Sequence, residues 1–242
     1  MVHKILATGF LLLIYQVFYL ILPVKFFLPS LSEVGSSLIE NLSSYTMYAH
    51  ILFSIQRVAI GFLLAGVVGI MMGIVLGYSE KLRWMRLYVE LLRPIPPIAW
   101  IPIAILMFGL GNGAAYFIVF IGAFFPIFTN TYFGVSSLPI IYRNVAMSFE
   151  LGRMTYLGKI IFLYSLPYIF TGLKIGIGMA WMSVIAAELV SAQSGLGYFI
   201  QLNRLLLRID NVLIGMGLIG FVGYILNKFI EYIEKRIIRW RE

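Results

Sequence analysis

Long apolar runs without a charged side chain recur along this sequence. The residues after Lys4, ILATGFLLLIYQVFYLILPV, reach Lys25 before the next charge. About 20 helical residues are needed to cross the roughly 30 Å of hydrocarbon in a bilayer. Of the 242 residues, 61% are hydrophobic and 12% are charged, against about 25% charged in soluble domains. A soluble fold could not bury this much apolar surface, so the sequence predicts a polytopic helical membrane protein.

The runs predict an all-α fold with about six transmembrane helices in a single domain, 1–242. No internal repeat or second domain is detectable in the sequence. The predicted spans cover about 5–24, 52–76, 87–108, 114–135, 168–192 and 212–230. The third span contains Pro94, Pro96, Pro97 and Pro102, which lack a backbone amide donor. We therefore expect this span to be kinked or broken and packed inside the protein.

The distribution of Lys and Arg predicts the orientation in the membrane. Cytoplasmic loops carry an excess of these residues. Twelve of the eighteen lie on one set of loops and termini, and only Lys25, Arg204 and Arg208 lie on the other set. With six spans, this asymmetry predicts that both termini are cytoplasmic. The net charge of +8 fits basic loops better than a nucleic-acid partner, because no basic run is interleaved with a polar domain.

The scarcity of reactive side chains argues against an enzyme. The chain has no cysteine, and its histidines are His3 and His50. Thiol chemistry is therefore excluded, and zinc or histidine catalysis has almost nothing to work with. A membrane enzyme acting on lipid would need clustered His, Asp, Glu or Ser near one interface. The sequence also lacks G-x-x-x-x-G-K-[ST], so this chain does not bind ATP through a P-loop.

The segment RNVAMSFELG, at 143–152, interrupts the apolar sequence between the fourth and fifth spans. It belongs to a predicted cytoplasmic connection at 138–160. Val145, Phe149 and Tyr156 lie near helical spacing, and Gly152 can end one short helix before another begins. Two interpretations stay open at this point: a solvated interfacial helix, or a helix that fits a groove on a partner protein.

Three blocks of sequence resemble one family of transport proteins. The blocks are SIQRVAIGFLLAGVVGIMMGIVLG, LLRPIPPIAWIPIAILMFGLGNGAAYFIVFIGAFFPIFTNTYFGV and TGLKIGIGMAWMSVIAAELVSAQSGLGYFI. In this order, over about 30–230, they resemble the permease subunits of bacterial ATP-binding-cassette (ABC) importers of the nitrate, aliphatic sulfonate and taurine type. The resemblance implies a type I importer permease in a bacterial or archaeal cell membrane.

The resemblance assigns a role to the 138–160 connection. In that family a cytoplasmic loop carries the EAA motif, Glu-Ala-Ala with a Gly six residues after the Glu, and docks on the ATPase. Counting back from Pro167 puts the Glu position at Asn144, the second Ala at Ala146 and the Gly at Glu150. Only Ala146, the apolar Ile160 and Pro167 keep the family's pattern. The expected ATPase-coupling residues are Asn144, Val145, Ala146, Phe149, Glu150 and Gly152.

The altered motif carries three further expectations. Ala146 would lie on the face that packs against the ATPase, so Ala146→Asp would uncouple ATP hydrolysis from transport. Glu150 would supply a substitute carboxylate for the missing Glu. A heterodimer in which another permease chain carries an intact motif would explain why this chain can lack it.

The resemblance also implies partners and cofactors. ABC ATPase subunits would bind the cytoplasmic face, and a substrate-binding protein would bind the outer face. A second permease chain, identical or different, would complete the pathway within the membrane lipid. The chain would bind no cofactor itself, because ATP and Mg²⁺ would be held by the ATPase. No nucleic-acid partner is expected.

The implied solute is a small anion such as a sulfonate, nitrate or bicarbonate. A vitamin or pyrimidine precursor is the alternative. An ion-coupled secondary transporter is a rival class, and the undetected repeat and the docking connection argue against it.

Polar and bulky groups inside the spans are candidates for the translocation pathway. These candidates are Arg93, Pro96, Pro97, Trp100, Trp181 and Glu188. Each has a structural alternative: a kink for the prolines, helix packing for the tryptophans, and a hydrogen bond to a neighbouring helix end for Glu188. Arg57 and Arg93 are expected to snorkel to an interface or to pair with an acid such as Glu90.

Overall fold

The computed structural model describes residues 29–238, together with Gln16, Val17 and Tyr19. The predicted span at 5–24 lies outside the described residues apart from those three positions. Every regular element in the described part is helical, which confirms the all-α fold class.

The helices follow one another with short connections. Helix α1 begins at a capping box, in which Ser30 and Glu33 each accept a hydrogen bond from the other's backbone amide. Short 3₁₀ turns lie at Glu80–Met85 and Pro97–Trp100, and a π-helical turn at Tyr156–Ile161 makes α7 and α8 continuous. The helices are α1 (Leu31–Ser43), α2 (Tyr45–Tyr78), α3 (Arg86–Leu92), α4 (Ile101–Phe108), α5 (Asn112–Ser136), α6 (Ile140–Ser148), α7 (Arg153–Thr155), α8 (Phe162–Ser191), α9 (Leu196–Leu205) and α10 (Ile209–Ile237).

Four helical segments are long and apolar enough to cross a membrane. They are Tyr45–Tyr78, Asn112–Ser136, Arg153–Ser191 and Ile209–Ile237. They contain the predicted spans at 52–76, 114–135 and 212–230 and all but the last residue of the span at 168–192. Each of them extends beyond its predicted span, because the helix continues for further turns past the end of the apolar run.

The predicted span at 87–108 is broken. Its two halves, Glu80–Leu92 and Pro97–Phe108, meet at 90°. The break falls at 93–96, where Pro94 and Pro96 cannot donate to the helical ladder. The expectation that this span is packed inside the protein is wrong for the single chain. Helix α4 buries Ile101 and Ala104, whereas Leu106 on its other side is 86% exposed.

Close packing of α2, α5 and α8 forms the core. Glycines on one face of α2 allow α5 to approach. A Cβ added at Gly73 would lie 2.6 Å from the Cβ of Thr131, and one at Gly77 would lie 2.8 Å from the Cβ of Val135. Larger residues at these positions would force the two helices apart.

Candidate functional site

The two ends of the bundle differ in charge. Helices α2 and α5 end, and α8 begins, at the end near Lys81, Arg83, Arg143, Arg153 and Lys159, which we call the basic end. The opposite end, where α2 and α5 begin and α8 finishes, is the distal end. Helix α6 lies in the connection between α5 and α7, at the basic end.

Helix α6 presents an apolar stripe on its exposed face. Ile141, Val145 and the C-cap residue Phe149 follow one another at intervals of four residues, and all three are exposed. The side chain of Phe149 is 75% exposed, the largest value of the three. An uncovered apolar helical stripe is typical of a helix that fits a groove on another protein.

Helix α6 ends in a Schellman motif. The amide of Leu151 donates to the carbonyl of Ala146, and the amide of Glu150 donates to the carbonyl of Met147, both at 3.0 Å. Glu150 adopts a left-handed backbone conformation, with φ of 50°. Glycine is usual there, since a residue with a Cβ costs about 1–2 kcal/mol in that conformation. Glu150, the position that the EAA pattern assigns to glycine, therefore makes the sharp turn although it is not a glycine.

Aromatic contacts fix the connection to two of the long helices. The rings of Tyr142 in α6 and Tyr164 in α8 lie 5.7 Å apart. The Arg153 guanidinium lies 5.7 Å from the ring centroid of Tyr78, the last residue of α2, and the Tyr156 ring lies 6.4 Å from the same ring. A displacement of α6 and α7 would therefore be transmitted to both α2 and α8.

The structure places the expected coupling residues on different surfaces. Asn144, Val145, Phe149 and Glu150 are exposed on or beside α6. Ala146 is only 5% exposed, so the expectation that it lies on the outer contact face is wrong: it faces the chain itself. Gly152 separates α6 from α7 as expected, but it has an extended conformation and caps the start of α7. The left-handed residue that ends α6 is Glu150.

A buried ion pair dominates the distal end. Arg57 in α2 and Glu188 in α8 approach to 2.8 Å, with side chains 4% and 0% exposed. The Ser54 hydroxyl lies 2.9 Å from both carboxylate oxygens, and the Gly197 amide donates to Glu188 Oε2 at 2.9 Å. Arg57 also donates from Nε to Asn112 Oδ1 at 2.9 Å. This network joins α2, α5, α8 and α9. It gives both buried charges the hydrogen-bond partners that they require.

The same network holds the turn between α8 and α9. Arg57 donates to the backbone carbonyl and the hydroxyl of Ser194 at 2.6 and 2.7 Å. The Gly195 amide donates to His50 Nδ1 at 3.1 Å, and the Leu196 amide donates to Ser54 Oγ at 2.9 Å. A Cβ at Gly195, where φ is 105°, would collide with the Glu188 carboxylate. The turn SGLG is therefore shaped around the buried carboxylate.

The buried pair revises the expectations for Arg57 and Glu188. The partner of Arg57 is Glu188, and Glu90 instead pairs with Arg86 at 2.6 Å. The buried network supports the structural alternative for Glu188 over contact with a solute. Trp181 is likewise buried, and its Nε1 donates to the Ile219 carbonyl at 2.9 Å, which joins α8 to α10.

The remaining pathway candidates lie around the broken span. Arg93 and Pro97 line a cavity between α5 and α8, while Pro96 is exposed in the break. Trp100 is half-buried and packs edge-on against Phe117, with ring centroids 6.4 Å apart. The structure thus brings Arg93 and Pro97 together and leaves Trp181 and Glu188 in helix packing.

Sequence reasoning missed three sets of polar contacts. The Ser37 hydroxyl in α1 donates to Asp210 in α10 at 2.5 Å. The Asn211 side-chain amide in α10 bonds to the side-chain amides of Asn41 in α1 and Asn203 in α9, each at 2.8 Å. Lys174 in α8 pairs with Glu234 in α10, also at 2.8 Å. Lys174 inside a predicted span was the available signal, because an intramembrane cation requires a partner. The asparagines carried no comparable signal.

Family comparison defines the class of protein. Residues 65–239 match the family described as binding-protein-dependent transport system inner membrane component. The chain belongs to this family, and it is a multi-pass membrane transport subunit.

Named relatives agree with this class. A protein of Methanocaldococcus jannaschii described as a candidate ABC transporter permease is 38% identical over all of this chain and 93% of its own length. The nitrate import permease NrtB of a Synechocystis species is 40% identical over 76% of this chain and 68% of its own length. The bicarbonate transport system permease CmpB of Synechococcus elongatus is 39% identical over 77% of this chain and 68% of its own length.

A solved structure shares the fold. A chain of the MetNI methionine ABC transporter, in an inward-facing conformation, superposes with a TM-score of 0.67 and 18% identity. The match covers 81% of this chain and 95% of that chain. The type I importer-permease architecture expected from the sequence is therefore confirmed.

Proposed function

We propose that this permease forms one half of the translocation pathway of an ATP-driven importer. Two permease chains, identical or different, would enclose the pathway. ABC ATPase subunits that hold ATP and Mg²⁺ would bind the basic end, and a substrate-binding protein would bind the distal end. The basic end is cytoplasmic in this arrangement, and both termini lie on that side, in agreement with the Lys and Arg asymmetry.

The exposed stripe of α6 is the observation that carries this proposal. Val145 and Phe149 remain uncovered at the basic end, although contacts of Tyr142, Arg153 and Tyr156 hold the connection against the bundle. A groove on the ATPase would cover this stripe. Movement of the ATPases would then displace α6, and the contacts of Tyr142 with Tyr164 and of Arg153 with Tyr78 would pass the displacement to α8 and α2. The pathway would alternate between inward-open and outward-open states.

A small anion is the solute best supported for this chain. Relatives named for nitrate import and bicarbonate transport are 40% and 39% identical to it. In such a system the binding protein delivers the solute and supplies much of the selectivity. A pyrimidine or vitamin precursor is the alternative, and thermal-shift measurements of the cognate binding protein with nitrate, bicarbonate, taurine and a pyrimidine distinguish the two classes.

Reconstitution into liposomes separates an importer from a secondary transporter. The chain is inserted alone, or together with its candidate ATPase and binding protein, and solute uptake is measured with ATP or with an ion gradient. Uptake that requires ATP and all partner proteins is expected. Uptake by the chain alone, driven by an ion gradient without ATP, would overturn the importer proposal.

A further inference from the structure

The bundle holds a cationic side chain, Arg93, whose guanidinium has no carboxylate partner among the described residues. Arg57 and Lys174, which also lie inside predicted spans, are paired: Arg57 with Glu188 and Lys174 with Glu234, both at 2.8 Å. Within the described chain the Arg93 guanidinium forms neither an ion pair nor a hydrogen bond. Arg93 is exposed in the single chain, and an unpaired cation at membrane depth almost always faces a water-filled cavity or the interior of the assembled bundle, which marks a functional position.

Arg93 lies at mid-depth of the bundle. It lines a cavity of about 190 Å³ with Gly122 and Phe125 of α5 and Met179 of α8. Gly122 and Phe125 lie near the middle of Asn112–Ser136, and Met179 is well inside Phe162–Ser191. The other lining side chains are apolar or proline. Among the described residues that line the cavity, Arg93 is therefore the one that offers a charged group to a solute.

The volume and chemistry of the cavity suit an oxyanion. The break in the span at 93–96 gives the backbone beside Arg93 an irregular path, which membrane proteins tolerate where it lines a cavity. A guanidinium offers two parallel N–H donors that match the oxygens of a planar or tetrahedral oxyanion. Since one water occupies about 30 Å³ of liquid, the cavity has room for a small oxyanion with some of its waters.

We propose that Arg93 and this cavity form an oxyanion-binding position inside the pathway, which selects the charge of the solute after the binding protein has released it. This inference rests on the proposed permease function. It adds a step of charge selection within the permease itself. Arg93 supplies the charged contact to the anion, and the apolar walls add no further charge. The anion can therefore also leave.

The first test measures the electrostatic field of the cavity and needs no knowledge of the solute. The natural chain has no cysteine, so Ile95→Cys provides a single thiol in the cavity wall. The full chain, reconstituted with its candidate ATPase, is treated with a sulfonate-bearing or a trimethylammonium-bearing methanethiosulfonate. The sulfonate reagent should react faster. Adding Arg93→Gln should lower the ratio of the two rates at least about fivefold, because the nearby positive charge is lost.

Two controls make this test decisive. Arg93→Lys in the Ile95→Cys background should keep most of the rate ratio, and Lys235→Gln, which removes an exposed charge at the end of α10, should leave it unchanged. A ratio that Arg93→Gln does not alter, or a thiol that reacts with neither reagent, would overturn the inference. This result would leave the importer proposal intact.

The second test measures transport. In ATP-driven liposomes, Arg93→Gln should lower uptake of the transported anion, chosen from labelled nitrate, bicarbonate and taurine, by about tenfold or more. Arg93→Lys should retain a larger share of uptake, and both variants should co-purify with the ATPase. Uptake by the Arg93→Gln variant at the rate of the natural chain would refute the anion position. ATP-driven import of a neutral pyrimidine, without import of any of the three anions, would also refute it. Absence of any ATP dependence in the natural chain would instead refute the proposed function.

Discussion

Removal of the Arg57 side chain is the sharpest perturbation of the distal network. In Arg57→Met, Glu188 would keep only the Ser54 hydroxyl and the Gly197 amide as donors at 2.9 Å, with no counter-charge, in a site where its side chain is 0% exposed. Breaking a buried pair in this way costs about 3–5 kcal/mol. For a chain of this size each kcal/mol lowers Tm by about 2–4 °C, so a decrease of about 6–20 °C is expected.

Tryptophan fluorescence of the purified chain in detergent, followed during heating, measures this decrease. The double variant Arg57→Met with Glu188→Leu should melt above Arg57→Met alone, because it removes the uncompensated carboxylate. Lys228→Met is the matched control, since Lys228 pairs with Glu231 on the exposed surface of α10 and should leave Tm nearly unchanged. If Arg57→Met melts within about 2 °C of the natural chain, the described pair does not hold the helices together.

Three further predictions concern the docking helix and the core. Glu150→Gly should stabilise the chain by about 1 kcal/mol, seen as a higher Tm, because it relieves the left-handed backbone; an unchanged or lower Tm would contradict this. Gly73→Leu should prevent a folded, monodisperse preparation in size-exclusion chromatography, since a Cβ there meets Thr131, whereas Gly35→Ala, with nothing within 4 Å, should not. Phe149→Asp should lower ATP-driven uptake without lowering Tm, because it places a charge on the exposed stripe; uptake at the natural level would show that this face makes no contact.

The spans at 52–76, 114–135, 168–192 and 212–230 were predictable because they depend on the length of apolar runs. The proline cluster also predicted the break at 93–96, since missing amide donors are visible in the sequence. The 90° angle and the exposed side of α4 were not predictable. They depend on which face of a short apolar helix meets α5, and an evenly apolar sequence gives no sign of that.

The partners within the buried polar network were likewise not predictable from the sequence. A charged residue inside a span implies a partner, but Arg57 and Glu188 are separated by more than a hundred positions, and Glu90, the acid suggested from the sequence, pairs with Arg86 instead. Pairing across α2 and α8 is set by packing in three dimensions. The sequence around α6 was misleading in another way. Glu150 looked like a lost glycine, whereas the backbone conformation that calls for glycine is still there.

Site-specific cross-linking at Phe149 tests the central claim most directly. Phe149→Cys provides a single thiol on the exposed stripe, and Met182→Cys provides an equally exposed thiol in α8, away from the basic end. Each variant is labelled with a photoreactive maleimide in liposomes that contain the candidate ATPase. We predict a cross-linked product of permease and ATPase from Phe149→Cys and none from Met182→Cys. ATP-driven uptake without any cross-link from Phe149→Cys would contradict the assignment of α6 as the ATPase-docking helix.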